Sequence, residues 1–369
     1  MSDVPSETTE PSGDTAPRAG HQLPVARATL TDVARAAGVS RQTASRVARG
    51  GENVNARTAA RVRRAIKALG YRPDPIARAL STGRGRIVGL LTHQLTHRQI
   101  GQGAVSIMIG VEQAATELGL GVSLATFSSF DRVTVQEGID RLARAGCDGV
   151  IFMAPWVSAA KTLRALQTTL PMVSTSEIPE YDGPVVHADA ALATAELVDH
   201  LLSLGHATVH HVAGPPDWMS SRARRHGWES ALQRAGAEVI EPLTGSWTAR
   251  SGYEAGRRLA DDPTVTAVFA ANDEMALGVV YALTECGRRV PEDVSVAGFD
   301  DAPGSDYFRP PLTTIKVDDA EHGRLAVAQL ILLLNGEPVA PETIVPHQLI
   351  VRDSTARSPH KAADRQLRS

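Results

Sequence analysis

The apolar positions between Leu30 and Leu69 recur at helical spacing, in three short blocks separated by a Gly turn and a Gly-containing loop. In the first block Val33, Ala34 and Ala37 make one apolar face, and Thr29 with Asp32 forms a capping-box pattern ahead of it. Gly38 supplies the backbone freedom for a sharp turn, after which Ser40 caps a second helix beginning Arg41-Gln42-Thr43. Asn55 caps a third helix, in which Ala59, Val62, Ile66 and Leu69 are expected to pack beneath the first two. Two short helices around a tight turn, the second carrying Arg41, Gln42, Ser45 and Arg46, predict a helix-turn-helix whose second helix lies in the DNA major groove.

The segment P-D-P-I-A-R-A-L-S-T-G, residues 73–83, predicts one further helix, with Asp74 as N-cap, Pro75 at the first position and Gly83 as the stop. At about two turns it cannot persist alone, because helix nucleation is costly, so it is a candidate switch element. From Arg86 onward the pattern becomes alternating strand and helix. Continuous apolar runs (I-V-G-L-L, V-S-L-A-T-F and G-V-I-F-M; then T-V-H-H-V-A, T-A-V-F-A-A and V-S-V-A-G-F) alternate with helical segments at 104–119, 134–146, 219–235 and 273–287. Such strands belong to parallel sheets covered on both faces. Two series imply two doubly wound subdomains with a ligand cleft at the carboxyl ends of the strands. The segments L-T-T-I-K and I-V-P-H-Q-L-I-V are expected to cross back between them.

Composition narrows the picture. The chain has 369 residues, enough for two or three domains, with 43% hydrophobic and 21% charged residues. Its two cysteines, Cys147 and Cys286, build neither a disulfide framework nor a zinc site, which suits a reducing cytoplasm. The start of the chain lacks a signal-peptide pattern, and no apolar run is long enough for a bilayer, so a cytoplasmic, nucleoid-associated protein without membrane contact is expected. The net charge of −3 hides an asymmetry: residues 28–86 hold 13 Lys/Arg against three acidic residues, about +10, leaving about −13 elsewhere. A compact basic module on an acidic body is the footprint of a nucleic-acid binder. His206, His210 and His211 do not make a metal site, because His210 and His211 are neighbours on one strand and point to opposite faces. No nucleophile–base motif is present, so an enzyme is not expected.

Taken together, T-L-T-D-V-A-R-A-A-G-V-S-R-Q-T-A-S-R-V, Y-R-P-D-P-I-A-R-A-L, L-G-H, A-A-N-D-E-M-A-L-G, V-S-V-A-G-F-D-D and P-P-L-T-T-I-K closely resemble the lactose/galactose repressor (LacI/GalR) family of bacterial transcription regulators, over residues 28–355. The resemblance implies a small all-α helix-turn-helix domain and an α/β effector domain of two periplasmic-binding-protein-like subdomains. The expected organisation is a disordered tail at 1–27, the DNA-binding domain at 28–72 and a hinge helix and linker at 73–85. An effector and dimerisation domain follows at 86–355, then a polar tail at 356–369. Within the effector domain, 86–188 with 317–340 and 189–316 with 341–355 are the expected subdomains.

By family position, Arg41 and Gln42 are the base-reading pair and Arg46 a further base contact, whereas Thr43 and Ser45 meet phosphate. Thr29, Ser40, Arg49, Asn55, Thr58 and the hinge residue Arg78 complete the DNA-contacting set. Leu80 matches the leucine that wedges between central base steps. Ala44, Arg49 and Asp74 depart from the residues frequent in the family. The effector site implied is Arg224, Asn272 and Asp300, with Trp247 stacking on a sugar face. Asp189 lies near the subdomain crossover, and Trp156 and Trp218 are weaker candidates at the cleft rim. The function implied is a homodimeric repressor on a near-palindromic double-stranded operator, controlled by a small ligand, a mono- or oligosaccharide, without a cofactor. The alternatives are a two-lobed sugar-binding receptor and an α/β enzyme using the same cleft.

Overall fold

The computed structural model describes residues 28–48, 54–71, 87–93, 102–153, 156–178 and 181–359. The tail 1–27, Arg49, the hinge 73–85 with Arg78 and Leu80, and residues 360–369 lie outside the described residues. The chain divides into two units between Arg78 and Ala79.

The first unit contains α1 (Leu30–Ala37), α2 (Arg41–Ala48) and α3 (Ala56–Ala68). Thr29 and Asp32 form the full capping box, and Gly38 ends α1 in the left-handed region at φ 61°. Ser40 Oγ accepts from the Thr43 amide at 3.1 Å, and Asn55 Oδ1 from the Arg57 amide at 2.9 Å. The core is small side chains: Val33, Ala34, Ala37, Ala44, Val47, Ala59, Val62 and Ala65 are all buried. Leu69 departs from the expected packing and is 40% exposed. The reason is local: α3 stops at Ala68 with Leu69 as its C-cap, so the helical period ends one residue before it.

The second unit holds two lobes. In the first, β1 (Ile87–His93), β2 (Gly121–Phe127), β3 (Gly149–Met153), β4 (Met172–Ser174), β5 (Val185–Ala188) and β11 (Glu342–Val345) form one parallel sheet in the order β11-β5-β4-β3-β1-β2. Strand alternation sends Val88, Leu90 and Ile151 to one face, where α4 (Gln102–Glu117) and α11 (Asp319–Asn335) cover them. Leu91, Val150 and Phe152 face α5 (Arg132–Arg144) and α6 (Ala159–Arg164).

The second lobe repeats the plan with the parallel sheet β7-β6-β8-β9: β6 (His210–Ala213), β7 (Leu243–Thr244), β8 (Ala267–Ala270) and β9 (Ser295–Ala297). Val268 and Ala270 pack under α9 (Ala249–Ala260) and α10 (Asp273–Glu285). Ala267 and Phe269 pack under α7 (Ala190–Ser203) and α8 (Met219–Ala235), where the buried Trp228 indole donates to Val209 O at 2.7 Å.

Two sequence expectations are corrected. Residues 341–355 do not belong wholly to the second lobe. Glu342–Val345 is an edge strand of the first sheet, parallel to β5, whereas β12 (His347–Ile350) pairs antiparallel with β10 (Thr314–Val317). The chain thus crosses between lobes within a few residues of Pro346, a switch that an E-T-I-V-P-H-Q-L-I run does not reveal. The polar tail also starts later than residue 356: Ser354 and Ser358 are buried, and the Ala356 and Ser358 amides donate to Ser295 Oγ and Leu204 O. These are hydroxyl-rich, apolar-poor residues docked through hydrogen bonds, so hydropathy gives no sign of their burial.

Candidate functional site

On α2, Ala44 and Val47 point into the core, which turns Arg41, Gln42 and Arg46 outward to solvent. None of these three side chains makes a hydrogen bond with another described residue, so their donors are available to a partner. An arginine can fork onto guanine O6/N7 and a glutamine onto adenine N6/N7. Thr43 and Ser45 are half-buried beside them. Thr29, Ser40 and Asn55 each accept a cap hydrogen bond, which fixes the helix ends. Thr58 is half-buried on α3. Arg57 and Arg64 are exposed there too, and Arg61 reaches back toward Gly38 O at 3.5 Å.

In the second unit a cleft of about 1180 Å³ opens where the strands of both lobes end. Its second-lobe wall is built around Arg224, which α8 projects inward. The guanidinium donates to Asp300 Oδ1 at 3.0 Å and to Ala271 O, and lies over the Phe299 ring at 3.7 Å from its centroid. A cation held so close to a ring face and one carboxylate is fixed in direction. Its Nε is buried without a hydrogen-bond partner among the described residues.

Asn272 sits at the end of β8 and caps α10 through Oδ1, which accepts from the Met275 amide at 2.9 Å. Its amide nitrogen donates to Trp247 O at 3.1 Å. Trp247 therefore stands at the cleft wall by a backbone tether, and its own Nε1 is another buried donor without a partner. The indole lies against Gly214. Any Cβ there would fall inside van der Waals contact with the ring, so only glycine leaves room for it.

Among the described residues, the non-glycine positions with positive φ are Trp247 (67°), Asp300 (110°) and Asp301 (49°). Two of the three line the cleft. Such backbone costs on the order of 1–3 kcal/mol per residue and persists only where its surroundings hold it. Here the Asp300 amide donates to Ile315 O at 2.8 Å, and Asp301 pairs with Arg352 at 2.7 Å. Asp273 braces the same loop from beneath. Its carboxyl is buried and accepts from Thr314 Oγ1, Ser305 Oγ and the Ala302 amide at 2.6, 2.7 and 2.7 Å. Burial, with Asp300 nearby, pushes Asp273 up to about 7 against those hydrogen bonds. Burial likewise raises Asp300, and Arg224 opposes the shift.

Asp189 stands at the cleft edge as the N-cap of α7, its Oδ1 accepting from the Leu192 amide at 2.8 Å. Trp156 is not at the rim. It is 9% exposed and packs against His93, Phe130 and Trp218 at 4.8, 4.6 and 4.6 Å between centroids, behind the cleft lining. Its backbone bridges that of Trp218, so the two lobes meet through this pair, and Trp218 rather than Trp156 reaches the cleft. The aromatic neighbours come from distant parts of the chain, which is why position near a strand end misplaced it.

Sequence reasoning also passed over Gly214, Asp273, Phe299 and Asp319, all at or against the cleft. Phe299 and Asp273 stand beside residues already singled out, in G-F-D-D and A-N-D. Asp319 follows directly on the crossing segment, which is the signal that could have found it. His206 bonds Thr266 and Ser295, and His211 Nδ1 bonds Phe269 O, whereas His210 Nδ1 is buried without a partner among the described residues.

Residues 29–74 match the profile of bacterial regulatory proteins of the lacI family, and residues 198–355 that of a periplasmic binding protein-like domain. The lactose operon repressor of Escherichia coli (strain K12) is 32% identical over 332 residues, covering 89% of this chain and 90% of that protein. The HTH-type transcriptional regulator CelR of Thermobifida fusca is 34% identical, covering 89% of this chain and 98% of its own. Among solved structures, a lac repressor dimer bound to operator and the anti-inducer ONPF superposes with a TM-score of 0.82 at 31% identity, covering 89% of this chain and 99% of that one. A CelR–cellobiose complex does so with a TM-score of 0.66 at 32% identity, covering 89% and 100%. With helix-turn-helix, two-lobed body and near full-length similarity together, the chain belongs to the LacI family of bacterial transcription regulators.

Proposed function

We propose that this regulator is a cytoplasmic, homodimeric repressor that reads a near-palindromic operator and changes its DNA affinity when a sugar occupies the cleft. The observation that carries this reading is the second-lobe wall. Arg224 supplies a guanidinium and Asp300 a carboxylate, held as a pair in the cleft lining, and the Trp247 indole stands beside them. Hydroxyl-dense ligands need donors and acceptors in alternation, together with an apolar surface for the ring face. The cellobiose complex of a relative and the operator-bound dimer of another support the same assignment.

Arg41 and Gln42 read bases, Arg46 adds a base contact, and Thr43, Ser45 and Arg49 meet phosphate. Thr29, Ser40, Asn55 and Thr58 support that docking at helix ends. Arg78 and Leu80 act in the hinge, where Leu80 wedges between central base steps. Arg224, Trp247, Asn272, Asp300 and Asp189 hold the effector, which the cleft binds without turning it over. The mechanism is linkage: the ligand favours one arrangement of the lobes, and the hinge helix orders on DNA only in the other. A coupling of about 1–3 kcal/mol changes operator affinity roughly 5–150-fold.

A thermal-shift panel of mono- and disaccharides, followed by operator binding with and without each stabilising sugar, tests the reading. At least one sugar is expected to raise the melting temperature and to shift operator affinity. Sugars that stabilise wild type and Arg224→Ala alike place the ligand elsewhere.

A further inference from the structure

Asp319 is a half-buried carboxyl of the cleft lining. It lies in the first turn of α11, where the chain has just crossed from β10 into the first lobe. The preceding Asp318 is spent on the N-cap, accepting from the Glu321 amide at 2.9 Å. Asp319 instead turns its carboxylate into the cleft, over the first turn of α4: a Cβ on Gly103 would lie 2.9 Å from its Oδ2. No described residue donates a hydrogen bond to it. Arg224, whose charge acts on it, is committed to Asp300 and Ala271 O.

The surroundings reinforce this acidity. The cleft lining carries six carboxyl side chains against three arginines. Arg224 and Arg250 are ion-paired with Asp300 and Glu254, and the exposed Arg222 donates to Pro216 O. A phosphate or carboxylate entering here meets six carboxyl groups against one arginine, Arg222, whose charge is offset by no described carboxylate. A hydroxyl or an ammonium meets an open acceptor. In a half-desolvated cleft, like-charge repulsion at a few ångströms exceeds its value in water several-fold.

We propose that Asp319 determines specificity in this cleft, accepting a hydrogen bond from a hydroxyl or ammonium group of the ligand and barring phosphorylated and carboxylated sugars. The proposal rests on the effector reading above and adds the ligand's charge class to it. The effector is an unphosphorylated carbohydrate, neutral or aminated. Burial and the neighbouring Asp300 also push Asp319 up to about 7, so the barrier is measured at pH 8, where the carboxyl is ionised.

Two measurements on the full chain test this, with Asp319→Asn and Asp319→Ser as variants. The first needs no ligand. Trp218 and Trp247 line the cleft, and their quenching by iodide is compared with quenching by neutral acrylamide. The iodide-to-acrylamide ratio should rise roughly twofold or more in both variants. An unchanged ratio in both overturns the barrier.

The second measurement is calorimetric titration with glucose, cellobiose and lactose, and with glucosamine, glucose 6-phosphate and glucuronate. Wild type should bind a neutral or amino sugar and neither anion. Asp319→Asn should weaken the neutral ligand about tenfold and admit the anions. Anion binding as tight as neutral binding in wild type overturns the proposal. Failure of every sugar with wild type counts against the effector reading, while the iodide ratio still decides the role of Asp319.

Discussion

The recognition helix and the effector cleft use charged side chains in opposite ways. On α2, Arg41, Gln42 and Arg46 stand in solvent, free of other described side chains, on a helix held by alanines and valines from behind. In the cleft, Arg224 is locked between a carboxylate, a carbonyl and a ring face, and two of its wall residues sit at positive φ. The first region holds its ligand groups unpaired and cheaply exposed. The second fixes them through other parts of the protein, at a cost in strain and burial. The first should therefore tolerate substitution without loss of fold and lose only recognition. The second should lose ligand response and part of its stability together.

The largest effect is expected on α2. Replacing Arg41 or Gln42 by alanine should remove about 1–3 kcal/mol of base discrimination each, while salt-dependent binding to random DNA stays nearly intact. Competition binding on operator and random duplexes measures it. Equal losses on both duplexes would remove base readout, and a lowered melting temperature would break the contrast itself.

Next come the cleft substitutions. Arg224→Ala should abolish the sugar response and leave operator binding of the ligand-free protein unchanged. Gly214→Ala forces the Trp247 indole to move, so it should weaken sugar binding and cost on the order of 1–3 kcal/mol of stability. A denaturant midpoint equal to wild type would show that the tethered indole adjusts freely.

The pH dependence gives a smaller effect. Asp319 is raised to about 7 in the folded chain, above its unfolded value, so the folded state binds the extra proton between about pH 4 and pH 7. Stability from this group is therefore present at low pH and lost as pH rises through 7. Asp300, Arg224 and Asp318 act on Asp319, and His322, held down to about 4 by burial, follows on the same helix. That histidine has the opposite sign, losing stability as pH falls from its usual 6.5 toward 4. The melting-temperature gain of Asp319→Asn over wild type should thus widen from pH 5 to pH 8, by about 2–4 °C. A constant difference would mean that Asp319 titrates normally. The smallest effect is expected at Trp156, which lies behind the lining: Trp156→Phe should change sugar affinity by less than about threefold, within the range of a conservative aromatic swap.

The DNA-reading region was legible because its geometry is local. Caps, a turn glycine and a helical period all fall within Thr29–Arg46, and α1 and α2 fold as that stretch dictates. The strands of both lobes were legible for a related reason, since buried parallel strands are continuous apolar runs. Leu69 misled because the apolar period ran on past the true end of α3. The cleft was legible only in part. Arg224, Asn272, Trp247, Asp300 and Asp189 were reachable by position in the family pattern and do line one cavity. Trp156 was misplaced because its neighbours come from β1, the segment after β2, and the far lobe. Asp319 and Glu342–Val345 were missed because each lies at a lobe crossing, where topology rather than hydropathy decides the partner.

In the proposed mechanism, occupancy of the cleft sets the affinity of α2 for DNA. Operator-binding titration, with and without a saturating concentration of the sugar that most stabilises the protein, tests it most directly in wild type and Arg224→Ala. A shift of about 5–150-fold in wild type and none in the variant is predicted. Identical operator affinity in wild type with and without that sugar would contradict the claim.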